Sequence, residues 1–313
     1  MIVRAEPDDE AAQRACHEIH AAAQAVDDPG LPVMSFPAFA KRAVNDNWDG
    51  ASLETWLGDR AYLTIWLPRH ENTQMAMCHA TVHPDSRRRG TGAEFLAFAE
   101  RRCAELGRGT MTTSAWVGSP GDEFCRAAGF VPGQTEVRRV MPVGAVPPVR
   151  LADGYSLVSW TGATPPEQLD QVAILLGMLA DAPRDEGWEP ERWDAERVRR
   201  GDKRTARLGM REHTVAAMDA AGEMAAFTQV GVAPDRPEWG WQHLTSVIRA
   251  HRGHGLGLAV KSAMLEYLAS AEPQLRQILT WNAEANDHMI AINEALGYRI
   301  FGVPGRSWER KIT

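Results

Sequence analysis

Two stretches of the chain carry the same spaced residues, VHPDSRRRGTG at 82–92 and VIRAHRGHGLG at 247–257. In each, a valine and four further residues lead into Arg-x-x-Gly-x-Gly. These residue types at this spacing suit the binding of an anion. Glycine admits positive φ and puts no β-carbon between the backbone and an approaching phosphate. Successive backbone N–H groups, and a helix opening behind them, add partial positive charge, and the arginine adds a full one. Two phosphates in series, as in a pyrophosphate, would fill such a nest. The positions expected to line it in the first copy are Val82, His83, Arg87, Arg88, Arg89, Gly90, Thr91 and Gly92. In the second they are Val247, Ile248, Arg252, Gly253, His254, Gly255, Leu256 and Gly257, with His254 read as a phosphate contact rather than an acid or base.

Such a nest must be held between a strand and a helix, and both copies provide them. QMAMCHATVH and WGWQHLTSVI read as strands, and GTGAEFLAFAERRCAELG and LGLAVKSAMLEYLAS as helices. Farther on, FCRAAGF at 124–130 parallels INEALGY at 292–298. Two motif pairs in one order indicate a duplication. The rest fits it. IVRAE, LETWLGDRAYLTIWLP, TMTTSAWVG and QTEVRRVMPV read as strands of the first half, with a helix over DDEAAQRACHEIHAAAQAV. YSLVSW, HTVAAMDA, EMAAFTQVGVA, LRQILTW and YRIFGV read as strands of the second, with helices over PEQLDQVAILLGMLAD, EPERWDAERVRR and NDHMIAINEALG. The proline- and glycine-bearing segment 143–154 reads as a linker, which gives domains 1–146 and 147–313.

Composition narrows the partners. The 313 residues are 44% hydrophobic with a formal charge of −7, and 1–150 hold 16 Lys/Arg against 19 Asp/Glu. No broad basic face for nucleic acid or anionic membrane is expected. The four cysteines show no metal-ligand spacing and suit a reducing cytoplasm. No apolar leader or membrane span is read, so a cytoplasmic monomer or homodimer is expected. The turn lacks the GK[ST] of the Walker loop and does not follow the first strand of a parallel unit, as the dinucleotide fingerprint would.

The plan resembles the GNAT superfamily of N-acetyltransferases. It is carried by Arg-x-x-Gly-x-Gly after the fourth strand, a later helix ending in Gly-aromatic, and the doubling of both. The two-domain layout is similar to that of the actinobacterial mycothiol synthases. The resemblance implies an α/β (α+β) fold of two tandem domains, each a mixed, mostly antiparallel central sheet flanked by helices. It implies that the turn holds the pyrophosphate of acetyl-CoA and that the preceding strand splays from its neighbour to bind the pantetheine arm. The family's cofactor-holding asparagine falls on Asn286, and its tyrosine acid is replaced by Asn293, a candidate hydrogen-bond donor to the thioester sulfur. The base position gives His243, with Glu223 as rival. The matching first-half positions are Gly118, Cys125 and Cys78, so that half reads as a degenerate copy and the second as the working domain. A small-molecule primary amine is the expected acceptor. Asp181, Asp185, Glu186, Trp188, Glu189 and Trp193 suggest a cationic one. The rival readings are a silent acyl-CoA-binding regulator, a mycothiol synthase-like acetyltransferase and an ATP-dependent transferase.

Overall fold

The computed structural model describes residues 1–45, 51–144, 149–178, 185 and 187–312. The chain forms two compact units: Met1–Thr135 with Asp185–Glu189 and Gly302–Thr313, and Glu136–Arg184 with Pro190–Phe301. Domains at 1–146 and 147–313 would be contiguous; these units are not. Positions 145–148 of the expected linker lie outside the described residues.

Unit 1 opens with β1 (Val3–Arg4), α1 (Glu10–Asp27) and α2 (Phe36–Asn45), the last not anticipated from sequence. It continues through β2 (Ser52–Gly58), β3 (Ala61–Leu67), β4 (Met75–Val82), α3 (Thr91–Glu105), β5 (Thr110–Trp116) and α4 (Pro120–Ala127). Strand β6 (Val131–Pro142) begins in unit 1 and enters unit 2 at Glu136. Unit 2 adds β7 (Ser156–Thr161), α5 (Leu169–Gly177), α6 (Ala195–Leu208), β8 (Arg211–Met218), β9 (Met224–Val232) and β10 (Trp239–Val247). It closes with α7 (Leu256–Ala271), β11 (Gln277–Ala283), α8 (Asp287–Ala295) and β12 (Arg299–Ile300). The last strand, β13 (Gly305–Lys311), belongs to unit 1.

Within unit 1 the strand order is β1-β2-β3-β4-β5-β13, and within unit 2 it is β6-β11-β10-β9-β8-β7 with β12 beside β6. All these pairs are antiparallel except β4 with β5 and β10 with β11. Each half has therefore given its last strand to the other unit. Sequence placed a strand over YRIFGV; only Arg299 and Ile300 pair there, and the chain pairs again as β13 along β5. Trp308 of β13 is 2% exposed and packs with Leu63, Ile65, Phe95 and Met111, so the end of the chain fills the core of unit 1.

Local signals explain the helices that matter most. Asp194 caps α6 by accepting from Arg197 N at 2.7 Å, and Gly209 stops it at φ 74°. That N-cap starts the helix at Ala195, so EPERWD precedes it rather than belonging to it. Helix α7 buries Leu256, Val260, Met264 and Leu268 against Val230, Val232 and Ile278 of the sheet. On the opposite face, Phe227, Ala216 and Met218 pack against Leu169, Val172 and Leu175 of α5 and Val198 of α6.

Candidate functional site

In both units the parallel strand pair meets for three residues only. Strand β10 pairs with β11 at Trp239, Gly240 and Trp241, and β4 with β5 at Met75, Ala76 and Met77. Beyond those points Gln242–Val247 and Cys78–Val82 have no pairing with β11 or β5 among the described residues. The backbone groups on that side of each strand are left for another hydrogen-bonding chain, as the expected splay requires.

The glycine turn lies at the far end of each fork. Arg252 is extended (φ −69°, ψ 156°), Gly253 and Gly255 have φ of 85° and 70°, and α7 begins at Leu256 with no side-chain cap. The first copy has the same backbone, with Arg87 extended, Arg88 at φ 62°, Gly90 at 87° and α3 following. A Cβ at Gly90, Gly253 or Gly255 would meet nothing within 4 Å, so both cradles are open. Positive φ turns the N–H groups outward, and the uncapped helix start leaves orphan donors there. These residues fit a pyrophosphate. Leu256 is itself buried in the core and offers only its backbone. Ile248 donates its N–H to Ala225 O at 2.9 Å. His254 is exposed, with Nδ1 3.2 Å from His251 O. At Gly92 and Gly257 the missing β-carbons face Phe124 at 3.4 Å and Ile292 at 3.3 Å, so these two glycines let neighbouring helices close up and offer only their backbone N–H groups to the turn.

The two forks differ along the strand. In unit 1, β4 follows β3 in unbroken register from Ala61↔Val82 to Trp66↔Met77. In unit 2, Gln242 faces Val230 and Leu244 faces Gln229, so β10 spends two residues where β9 spends one. The extra residue is His243, and the irregularity is a β-bulge. Gln242 points to the α7 face, whereas His243 and Leu244 both project to the α5/α6 face. The Gln242 amide fills the break, its Nε2 donating to Gln229 O, Leu244 O and Thr228 Oγ1 at 2.8, 2.9 and 2.9 Å. Lys261 Nζ donates to its Oε1 at 3.1 Å.

His243 is 45% exposed at the side chain, and its Nδ1 lies 2.9 Å from Glu212 Oε1. Surrounding protein disfavours the imidazolium, the charge and hydrogen bond of Glu212 favour it, and Arg204 opposes it. The net effect raises the pKa above 6.5. With Nδ1–H donating to the carboxylate, Nε2 has no partner among the described residues and can accept a proton. Gly231, across from Trp241 and Glu212, makes room for the pair: a Cβ there would sit 2.6 Å from His243 Cε1 and 3.1 Å from Glu212 Oε2. Glu212 and Gly231 were not anticipated. A glycine within a strand of otherwise β-forming residues was the available signal.

Other expected residues are placed differently. Glu223 is exposed in the hairpin turn before β9, its N–H bonded to Asp219 Oδ1 at 2.9 Å. Six residues of strand separate it from Gln229, a span of about 20 Å, so it does not join His243. Asn286 caps α8, its Oδ1 accepting from Met289 N at 3.2 Å. Asn293 is 0% exposed and donates Nδ2–H to Asn282 Oδ1 of β11 at 2.8 Å. In unit 1, Cys78 aligns with His243 in sequence but lies on the α3 side of its sheet, buried with its Sγ 3.6 Å from Cys103 Sγ, and it is the exposed His79 that takes the other side. The hydrogen bond to Cys103 and burial push the Cys78 thiol pKa up, so it stays protonated. Arg87 is held by both oxygens of Asp27 at 2.7 and 2.6 Å, and Cys125 is buried.

The acidic residues read as an acceptor lining are occupied elsewhere. Asp185 accepts from Gln134 N and Ser307 Oγ, both at 2.6 Å. Glu189 and Asn72 exchange hydrogen bonds, Glu189 N to Asn72 Oδ1 at 2.7 Å and Asn72 Nδ2 to Glu189 O at 3.1 Å. Trp193 stacks under Arg197 at 4.6 Å. Asp181 and Glu186 lie outside the described residues.

Among the described residues no helix is long and apolar enough to cross a membrane, and no cluster of His, Cys, Asp and Glu could hold a metal ion. No protein-family model matches the chain. A protein named mycothiol acetyltransferase from Mycobacterium sp. (strain MCS) is 30% identical over 241 residues, 74% of this chain and 74% of that protein. Its counterpart from strain JLS matches to the same extent. Among solved structures, a tandem GNAT protein from the clavulanic acid biosynthesis pathway superposes with a TM-score of 0.86 at 24% identity, covering 100% of this chain and 98% of the other. A GCN5-related N-acetyltransferase from Sphaerobacter thermophilus gives 0.67 at 15% identity, covering 100% and 95%. These two likenesses speak to the fold alone.

Proposed function

Because the chain belongs to the tandem GNAT N-acetyltransferases, we propose that unit 2 transfers an acetyl group from acetyl-CoA to the primary amine of a small molecule, with His243 as the base. The observation that carries this is the bulge. It puts an imidazole, tied to a carboxylate and open at Nε2, beside the fork that ends at the glycine turn.

In this reading the N–H groups of Gly253–Gly257 and the Arg252 guanidinium hold the pyrophosphate, and Asn286 lies beside the arm of the cofactor. The β11-facing backbone of Gln242–Val247 hydrogen-bonds the pantetheine amides and polarises the thioester carbonyl. Acetyl-CoA supplies an acyl carbon activated for attack by an amine. The amine arrives largely as ammonium, and His243 Nε2 accepts the proton it must lose, directly or through water. Glu212 fixes the tautomer and the ring plane and stabilises the imidazolium that forms. No side chain is assigned to protonating the departing thiolate, which with a thiol pKa near 8.5 leaves without full protonation. Unit 1 keeps the scaffold and the turn but, among the described residues, no imidazole–carboxylate pair on its fork strand, so catalysis there is not part of the proposal.

The acceptor's chemistry rests on the likeness to the curated relatives. Titration with acetyl-CoA in a calorimeter, followed by mass analysis of a primary-amine panel that includes the acceptor of the mycothiol acetyltransferases, tests both halves of the reading. Binding with a product 42 Da heavier, about the mass of one acetyl group replacing a hydrogen, is the expected result for an amine acylated this way. Binding without any product would leave an acyl-CoA sensor, and no binding would remove acetyl-CoA from the account.

A further inference from the structure

The face of unit 2 covered by α7 and α8 holds two buried cations at the fork. Arg139 of β6 is 5% exposed, and its Nε and Nη1 are enclosed with no hydrogen-bond partner among the described residues. It pairs with Thr280, the first residue of β11 beyond the last pairing with β10. Thr280 shares its face with Asn282, which meets Asn293 of α8, and the buried Oδ1 of Asn293 has no partner either. On the other border stands Gln242, the first residue of β10 past the same point, held by Lys261 of α7. Lys261 is 3% exposed, lies 5.1 Å over the Tyr298 ring, and is brought down to a pKa of about 7 by burial. Neither cation has an ion-pair partner among the described residues.

At the last paired residues two strand spacings set β6 and β10 about 10 Å apart, and the gap that opens from there is one that a guanidinium from one side and an ammonium from the other can reach into. Burying a guanidinium unpaired is costly, and an anion at that place would offset the cost. The position also matters. A donor running along β10 from the turn beyond Val247 towards Gln242 brings its acyl end to this fork. We propose that Arg139 and Lys261 form an anion subsite for the free carboxylate of a dicarboxylic acyl donor, an acyl-CoA of the malonyl or succinyl class. This rests on the reading of unit 2 as the acyl-CoA-binding unit. The transfer is the same substitution: the amine nitrogen bonds to the thioester carbon, and the C–S bond breaks with its electron pair leaving on sulfur. One ammonium proton goes to His243 before attack, the second proton that the nitrogen sheds on becoming an amide passes to the departing thiolate directly or through water, and the distal carboxylate is untouched.

Calorimetric titration of the wild type, Arg139→Met and Lys261→Met with acetyl-CoA and with succinyl-CoA tests the subsite. Succinyl-CoA is expected to bind the wild type about tenfold tighter than acetyl-CoA, the worth of one charge-assisted contact, with the ratio falling towards one in each variant. Melting the wild type gives an independent reading, since succinyl-CoA should raise Tm more than equimolar acetyl-CoA. Equal affinities in the wild type, or a ratio that both variants retain, overturns the subsite. Absence of binding by either donor overturns the acyl-CoA reading of unit 2 as well.

Discussion

The two forks share a turn and a splay, yet among the described residues only the second carries an imidazole bonded to a carboxylate; the exposed His79 of the first has no such partner. Unit 1 runs β4 along β3 without a break, and Cys78, the residue aligned with His243, is a thiol sealed beside Cys103 on the α3 side. Unit 2 inserts one residue, and His243 emerges with Glu212 behind it and Gly231 beneath it. The turns diverge in the same direction. Each arginine sends Nε to the carbonyl of its own valine, at 3.2 Å from Arg87 and 3.4 Å from Arg252. Arg87 is also clasped by Asp27, whereas Arg252 is exposed. Duplication thus preserved the backbone in both copies, while the side chains of one were taken over by packing and ion pairing.

The sharpest way to break this comparison is to remove the two aligned side chains in turn. His243→Ala should lower kcat at pH 7 by about 100-fold, in the range that general-base removal costs, while Cys78→Ala should leave turnover within about twofold, as a change away from the reacting groups should. Equal losses in steady-state assays would mean that both units do chemistry. A smaller effect is expected from Glu212→Gln. Glu212 raises the His243 pKa against burial and Arg204, so its loss drops that pKa below 6.5. A base works unprotonated, so the acid limb of the kcat/KM profile should move to lower pH. At a pH above the wild-type limb, where the base is neutral either way, kcat should still fall about tenfold for want of orientation. A limb that stays in place separates Glu212 from the mechanism. The arginines give the smallest pair of effects. Arg252→Ala should weaken acetyl-CoA binding about tenfold by loss of one charge-assisted contact. Arg87→Ala should instead cost about 1.5–3 kcal/mol of folding stability, the usual worth of hydrogen bonds to a charged partner, and a denaturant melt beside a binding titration tells the two outcomes apart.

Sequence alone reached the turns, the doubled plan and the strand position of His243, because these are written in local spacing. It could not reach the bulge. An extra residue in β10 exists only relative to the register of β9, and that register is set by tertiary packing. Glu212 was hidden for the same reason, since it comes from a strand thirty-one residues away and meets His243 only through pairing. Nor could motif position show that the Asn293 amide meets Asn282 of β11, or that the bare Cα of Gly257 lets Ile292 of α8 close on α7, since both are contacts between separate elements. Strand β13 escaped notice because RSWERK is polar and alternates poorly. Its pairing with β5 joins residues nearly two hundred apart, which no window of sequence can show.

The placement of β13 also bears on how the protein is made. Unit 1 comes first in the chain, but its sheet edge along β5 and the indole that plugs its core are translated only after all of unit 2. The usual order, in which the leading domain folds while the rest is still on the ribosome, is closed to it. During synthesis β5 waits with an unpaired edge and an unfilled core, a state exposed to wrong partners. The first domain to emerge is the last able to mature, and any ribosome stall between residues 136 and 301 leaves it open.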